Sequence, residues 1–273
     1  MSASPSSQKP HCAAVYGPVK SGRFGRSLGI DPIGIISTCS FKCIYCQLGN
    51  IQQQTTQQQI FVPTSQIISE LQAIAQREIQ LDVVTVSGSG EPTLALNLEE
   101  ILAAIKEIFK QPKVVLTNST LLGDKSVRNA LLLADIVAVK LDAVSSNQLR
   151  QINQPLEKID LPDIIQGITQ FRQEYQGRMA IQTMILSSWT AETQAGYIHL
   201  LKVLQPDEIQ INIPSRPRVL VSQLESRGND IAESRAYACE NFKLLTPEEL
   251  SAMAQKIHTA TKIPVRYPIL GDR

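Results

Sequence analysis

Charge of one sign is what this chain most conspicuously lacks: 26 lysines and arginines face 25 aspartates and glutamates, a formal net charge of +1. A general polycation is excluded, so any contact with nucleic acid must rest on a local patch. Long apolar runs are missing too, and no segment is long enough to span a bilayer. The opening M-S-A-S-P-S-S-Q-K-P is polar and carries no apolar signal segment. A cytoplasmic location and no membrane partner are the expectation. Histidine is scarce, and His11, His199 and His258 show no metal-binding spacing. The five cysteines are odd in number and mostly clustered, which argues against a secreted disulfide framework.

What is present is a chain of 273 residues with 43% hydrophobic content, enough for one large domain with appendages. Residues 1–15 read as a disordered tail, 16–220 as a core domain and 221–273 as a C-terminal extension. The run Q-Q-Q-T-T-Q-Q-Q at 52–59 reads as a solvated loop with no chemistry of its own. Elsewhere short β-branched runs alternate with longer segments of helical period. Strands are predicted at 34–37, 83–87, 114–117, 136–141, 180–186 and 208–213. Helices are predicted near 65–78, 97–109, 124–133, 160–175 and 191–204. Asn97 with Glu100 predicts a capping box. Thr246, Pro247 and Glu249 predict a last helix at about 247–260, followed by a strand at 264–267.

Strand–helix alternation predicts an α/β fold with a parallel sheet. Six units suit a partial (β/α)6 TIM-like barrel, and a doubly wound open sheet fits the same string. Both place their sites at the carboxyl ends of the strands. Unusual loops fall at all six ends: the cysteine loop, S-G-S-G-E-P-T, T-N-S-T, K-L-D-A, L-S-S-W and I-P-S-R-P-R.

The cysteine loop is T-C-S-F-K-C-I-Y-C-Q-L-G at 38–49, with Cys39, Cys43 and Cys46 spaced C-x3-C-x2-C. Thiolates are soft ligands that favour iron–sulfur clusters, zinc or copper(I). A structural zinc site needs four ligands, and the fourth here must come from far along the chain. Three thiolates hold a four-iron cluster with one iron open to an outside ligand. A non-catalytic metal-binding module is the alternative of a different class.

With Tyr45 just before the last cysteine, this loop resembles the signature of radical S-adenosylmethionine (SAM) enzymes. The resemblance implies one [4Fe-4S] cluster on Cys39, Cys43 and Cys46, with SAM bound at the open iron. It implies reductive cleavage of SAM to a 5′-deoxyadenosyl radical, which takes a hydrogen atom from substrate. It also implies a partial (β/α)6 barrel and an electron donor such as flavodoxin or ferredoxin. Gly88, Gly90 and Glu91 are similar to the family's glycine–glutamate motif, with Glu91 on the SAM amino group and Ser89 a departure from glycine. Tyr45 is expected against the adenine, and Asn118 and Ser119 on the ribose. For those two, an N-cap or turn is the bland alternative.

Y-G-P-V-K-S-G-R-F-G-R-S-L-G-I-D-P-I at 16–33, with K-L-D-A and I-P-S-R-P-R, is similar to the branch that includes wyosine-type tRNA synthases. That suggests a tRNA base as substrate; a peptide or small molecule is the alternative. Enzymes that form wyosine carry a second cluster on three upstream cysteines, where this chain has only Cys12. One cluster is therefore expected. Cys12 and Cys239 are read as ordinary thiols, with a redox or second-cluster role for Cys12 the alternative. Lys140 and Asp142 are candidates for catalysis at the barrel mouth. Arg23, Arg26 and Arg216 are candidates for gripping substrate phosphates, with structural or cofactor roles as the alternative.

Overall fold

The computed structural model describes residues 13–214, 217–220 and 239–268. Among the described residues twelve strands run in chain order: β1 Val15–Ser21, β2 Gly25–Ile30, β3 Thr38–Cys39, β4 Gln53–Gln54, β5 Val83–Val86, β6 Lys113–Thr117, β7 Ile136–Lys140, β8 Arg178–Met184, β9 Glu208–Asn212, β10 Arg218–Val219, β11 Cys239–Glu240 and β12 Val265–Arg266. The helices are α1 Thr64–Ala75, α2 Leu98–Ile108, α3 Lys125–Leu131, α4 Ser146–Ile152, α5 Leu161–Glu174, α6 Ala191–Leu204 and α7 Pro247–Thr261.

Eight strands form one sheet in the order β1-β2-β5-β6-β7-β8-β9-β12, curled into a half-barrel. From β2 onward every pairing is parallel, and only the edge strand β1 is antiparallel. Five of the six predicted strands are therefore present, as β5 to β9, and β2 takes the place of the other. The C-terminal extension adds to them, because β12 pairs with β9 after α7.

Local sequence explains the elements. β5 is V-V-T-V and buried throughout, as a central parallel strand covered on both faces must be. In α2, Leu98, Ile101, Leu102 and Ile105 form one buried stripe, with charge on the opposite face. Each such aliphatic side chain contributes about 1.5–3 kcal/mol by leaving water. The box at the start of α7 forms as expected: Glu249 N donates to Thr246 Oγ1 at 3.2 Å and Thr246 N to Glu249 Oε2 at 2.8 Å.

Three expectations fail. The predicted strand 34–37 is a loop, with Ile35 and Ile36 each 55% exposed. The first parallel strand is β2, whose glycines and serine hid it; Ser27 Oγ meets Thr85 Oγ1 at 2.7 Å across the sheet. Asn97 does not cap α2. Its Nδ2 donates to Val62 O at 3.1 Å and Thr64 Oγ1 at 2.8 Å, tying α2 to the start of α1. The glutamine run is also not a passive loop. Gln52 Oε1 accepts from Ser37 N at 2.9 Å, Gln54 Nε2 donates to Ser40 O and Gln154 O, and Gln58 Nε2 donates to Thr93 O. These side chains clamp the segments around the cysteine loop.

The candidate site at the barrel mouth

The cysteine loop leaves the C-terminal end of β2 and crosses the mouth of the half-barrel. Asp31, fully buried, shapes its start: Oδ1 accepts from Ile33 N and Gly34 N, and Oδ2 from Ser89 Oγ at 2.5 Å. β3 then runs alongside the loop after β5. Thr38 N donates to Ser89 O at 3.1 Å and Glu91 N to Thr38 O at 3.0 Å. The two glycines make this approach possible. A Cβ on Gly90 would stand 1.7 Å from the Thr38 carbonyl oxygen, and one on Gly88, whose φ is +141°, would strike Asp31. The backbone these glycines admit is thus the protein's own, next to Cys39.

Glu91 lies beside this contact and is 2% exposed. Its Oε1 accepts from Thr93 N, Thr93 Oγ1 and Thr117 Oγ1, and its Oε2 accepts from Asn118 N at 2.6 Å. Burial pushes its carboxyl above the ordinary value, and those hydrogen bonds pull against the rise. Asn118 continues the chain of contacts. Its Nδ2 donates to Ser40 Oγ at 2.8 Å and to Cys39 Sγ at 3.4 Å. Ser119 adopts φ 73°, and its hydroxyl is engaged by the Lys140 backbone at 3.2 Å, stapling β6 to β7.

Asp142 forms a second centre, its side chain fully buried. Oδ1 accepts from Met184 N at 2.7 Å and lies 3.5 Å from Lys140 Nζ. Oδ2 accepts from the Tyr45 hydroxyl and from Asn153 Nδ2 at 2.7 Å. Lys140 Nζ also sits 5.2 Å from the centre of the Tyr45 ring. Asp142 therefore has a full set of partners that anchors the cysteine loop to the ends of β7 and β8.

All three thiols are half-buried and unoxidised. Burial is the first cause of their raised pKa values. Cys39 is pushed well up, with the Glu91 charge adding to the effect. Cys43 is pushed up to about 12, with Asp142 adding to it. Cys46 is raised less directly, because the Leu48 backbone hydrogen bond, Lys140 and Arg218 all pull it down. Arg218 comes from β10 and donates to Asn50 Oδ1 at 2.6 Å, so it flanks the same loop. Among the described residues, no three acidic, histidine or cysteine side chains converge as ligands of a single metal ion would. Ligands to three separate corners of an iron–sulfur cube stand further apart. Three soft thiols on one loop, with amide donors aimed at two of them, fit that group.

The mouth thus gathers Cys39, Cys43, Cys46, Tyr45, Gly88, Gly90, Glu91, Asn118, Ser119, Lys140 and Asp142. It does not gather Arg23 and Arg26. They lie at the β1–β2 hairpin, at the opposite end of the sheet, where Arg26 N donates to Asp82 at 2.7 Å. Arg216 and Cys12 lie outside the described residues. Sequence reasoning missed Asn153, at the C-terminal end of α4, and did not assign Arg218 a place at the loop.

Beside the mouth, the concave face of β7, β8 and β9 carries a row of polar side chains. Val139, Ile181, Ile209 and Ile211 pack under the helices, so their alternates face the other way. Lys140, Gln182 and Gln210 stand in one row across β7, β8 and β9, with Gln182 Nε2 donating to Gln210 Oε1 at 2.8 Å. Asn212 stands nearer the mouth on the same face.

Residues 33–201 match the Radical SAM superfamily. The UPF0026 protein slr1464 of Synechocystis sp. is 49% identical over 93% of this chain and 95% of its own length. Among solved structures, Streptococcus suis SuiB bound to precursor peptide SuiA superposes with a TM-score of 0.63 at 16% identity, covering 89% of this chain and 48% of SuiB. Native anSMEcpe with bound AdoMet and Kp18Cys peptide gives a TM-score of 0.59 at 16% identity, over 88% of this chain and 63% of that one. The chain spans about half to two thirds of these structures, and the likeness to them is one of fold. Cysteine loop, fold and relatives agree: the chain belongs to the radical SAM superfamily, whose members use a [4Fe-4S] cluster and SAM, and it is a radical SAM enzyme.

Proposed function

We propose that Cys39, Cys43 and Cys46 hold one [4Fe-4S] cluster, that SAM binds over it, and that the substrate lies along the polar concave face. Loaded in this way, the site supplies one-electron cleavage of SAM and hydrogen-atom abstraction by the resulting 5′-deoxyadenosyl radical. The observation that carries the assignment is a continuous hydrogen-bonded path: Glu91 accepts from Asn118 N, and Asn118 Nδ2 donates to Cys39 Sγ. The acid for the SAM amino group and a ligand of the cluster are thereby held by one residue.

In this reading Glu91 receives the ammonium, a charge-assisted contact. Lys140 and Arg218, which flank Cys46, receive the carboxylate. Asn118 reaches the ribose. Tyr45, its hydroxyl held by Asp142, presents its ring at a fixed angle to the adenine. Ser119 and Asp142 act as supports, joining β6 to β7 and the end of β7 to that of β8. The amide-rich row favours an uncharged, hydrogen-bonding substrate such as a nucleobase, whose edge offers paired donors and acceptors. A tRNA base is the form we favour. A flavodoxin- or ferredoxin-type protein supplies the electron, and the setting is the cytoplasm. Among the described residues no helix is long and apolar enough to cross a membrane.

Anaerobic reconstitution followed by dithionite and SAM tests the chemistry. 5′-Deoxyadenosine is expected above a Cys43→Ala control, and its absence overturns the radical assignment. Comparing modified nucleosides in tRNA from wild-type and deletion strains tests the substrate. An unchanged profile replaces the tRNA base with a peptide or small molecule.

A further inference from the structure

Asn153 follows the last turn of α4, and its side-chain nitrogen lies among three partners. Nδ2 donates to Asp142 Oδ2 at 2.7 Å and to Cys43 Sγ at 3.3 Å, with the Tyr45 hydroxyl at 3.4 Å. The residue is 1% exposed. Its Oδ1 is buried and accepts no hydrogen bond among the described residues. Turning the amide over would satisfy nothing: it would set the carbonyl against the Asp142 carboxylate and withdraw both N–H bonds. The carboxylate therefore fixes which way the amide faces, and the second N–H is left for the sulfur. Leaving a buried carbonyl unpaired is a real cost, and groups retained at such cost call for an explanation.

We propose that Asn153 is a positioning residue that tunes the cluster through Cys43, raising its reduction potential by an N–H···S hydrogen bond. This rests on the radical SAM assignment. A hydrogen bond to a ligand sulfur stabilises the more negative, reduced state over the oxidised one. The donor cannot rotate away, because Asp142 is itself locked by Met184 N, Lys140 and the Tyr45 hydroxyl. The same contacts tie Cys43 and Tyr45 to the ends of β7 and β8. A shift in this network reaches the cluster loop at Cys43 rather than from the Glu91 side. Cys39 is served on that other side by Asn118 and by Phe41 N at 3.4 Å.

The test is a dye-mediated potentiometric titration of the reconstituted full chain, followed by electron paramagnetic resonance. The step measured is addition of one electron from dithionite to the oxidised cluster, with no bond made or broken. Asn153→Leu keeps the branched shape and removes the donor; Asn153→Ser shortens it beyond reach. Either variant is expected to make reduction about tenfold less favourable, a potential about 59 mV lower for a one-electron couple. In D2O the reduced wild-type cluster is expected to show one exchangeable deuteron coupling that Asn153→Leu lacks. An unchanged potential with normal iron content overturns the proposal. So does loss of iron from both variants in a folded chain, which would make Asn153 a structural post for the loop. A wild-type protein that takes up no four-iron cluster would instead sink the family reading beneath it.

Discussion

Adding one methyl group at Gly90 tests how the mouth is assembled. In Gly90→Ala the new Cβ would stand 1.7 Å from the Thr38 carbonyl oxygen and 2.6 Å from its carbon. No side-chain rotation relieves a clash with backbone, so β3 and the loop after β5 must part by more than an ångström. The two bonds joining them, 3.0 and 3.1 Å long, would be lost. Overpacking costs about 1–3 kcal/mol and each lost bond about 1, together about 3–5 kcal/mol. In a chain of this size that lowers the melting temperature on the order of 10 °C. Separation of the loops also moves Cys39 from Glu91, so iron uptake on reconstitution is expected to fall along with stability. Gly123→Ala is the control, since a Cβ there meets nothing within 4 Å. It is expected to stay within about 0.5 kcal/mol of wild type. Circular-dichroism melts of the apo protein under anaerobic conditions, with iron and sulfide analysis after reconstitution, read both effects. A Gly90→Ala protein that melts with the wild type and takes up its full iron would refute the close-approach argument.

Glu91→Gln removes the charge awaiting the SAM ammonium, so SAM affinity by equilibrium dialysis is expected to drop about 10- to 100-fold. Arg218→Met is expected to raise the SAM concentration needed for half-maximal 5′-deoxyadenosine formation and leave iron content unchanged; an unaltered requirement would place the carboxylate elsewhere. Asp124 accepts from Ser126 N at 2.8 Å at the start of α3, and the Ser126 hydrogen bonds hold its carboxyl below the usual value. A depressed carboxyl stabilises the fold above its unfolded pKa and loses that contribution as pH falls through the folded one. Asp124→Ala is therefore expected to cost about 1 kcal/mol at neutral pH, with the gap to wild type closing in strong acid. A gap that stays constant with pH in urea melts would argue against the cap.

The parallel strands from β5 to β9 were legible because each is a short β-branched run buried on both faces, bounded by helices with regular apolar stripes. The first strand was not. G-R-S-L-G-I lacks β-branched residues except at its end, while the neighbouring G-I-I-S has the right composition and lies in the open. Gly29 is there because Tyr16 lies across it: a Cβ would come within 2.3 Å of the ring. Such a demand comes from packing across the sheet and leaves no local pattern. The three cysteines and Glu91 stand out in the sequence because their chemistry is concentrated in two short loops. Asn153 stands 110 positions from Cys43, after a helix of seven residues, and nothing around it marks it. Arg23 and Arg26 looked suitable because sequence shows charge but not which end of a strand carries it. β1 runs antiparallel to β2, and that places the hairpin at the far end.

The glutamine run has a consequence for how this chain tolerates change. Gln52, Gln54 and Gln58 each reach a separate piece of the mouth: Ser37 ahead of the first cysteine, Ser40 and Gln154 behind it, and Thr93 beside Glu91. Their spacing is even, so an insertion or deletion of one residue would turn the clamping amides outward and bring the idle ones in. A change in length of two residues would thus disturb the clamp less than a change of one. A stretch that looks like filler would act as a reading frame for the site.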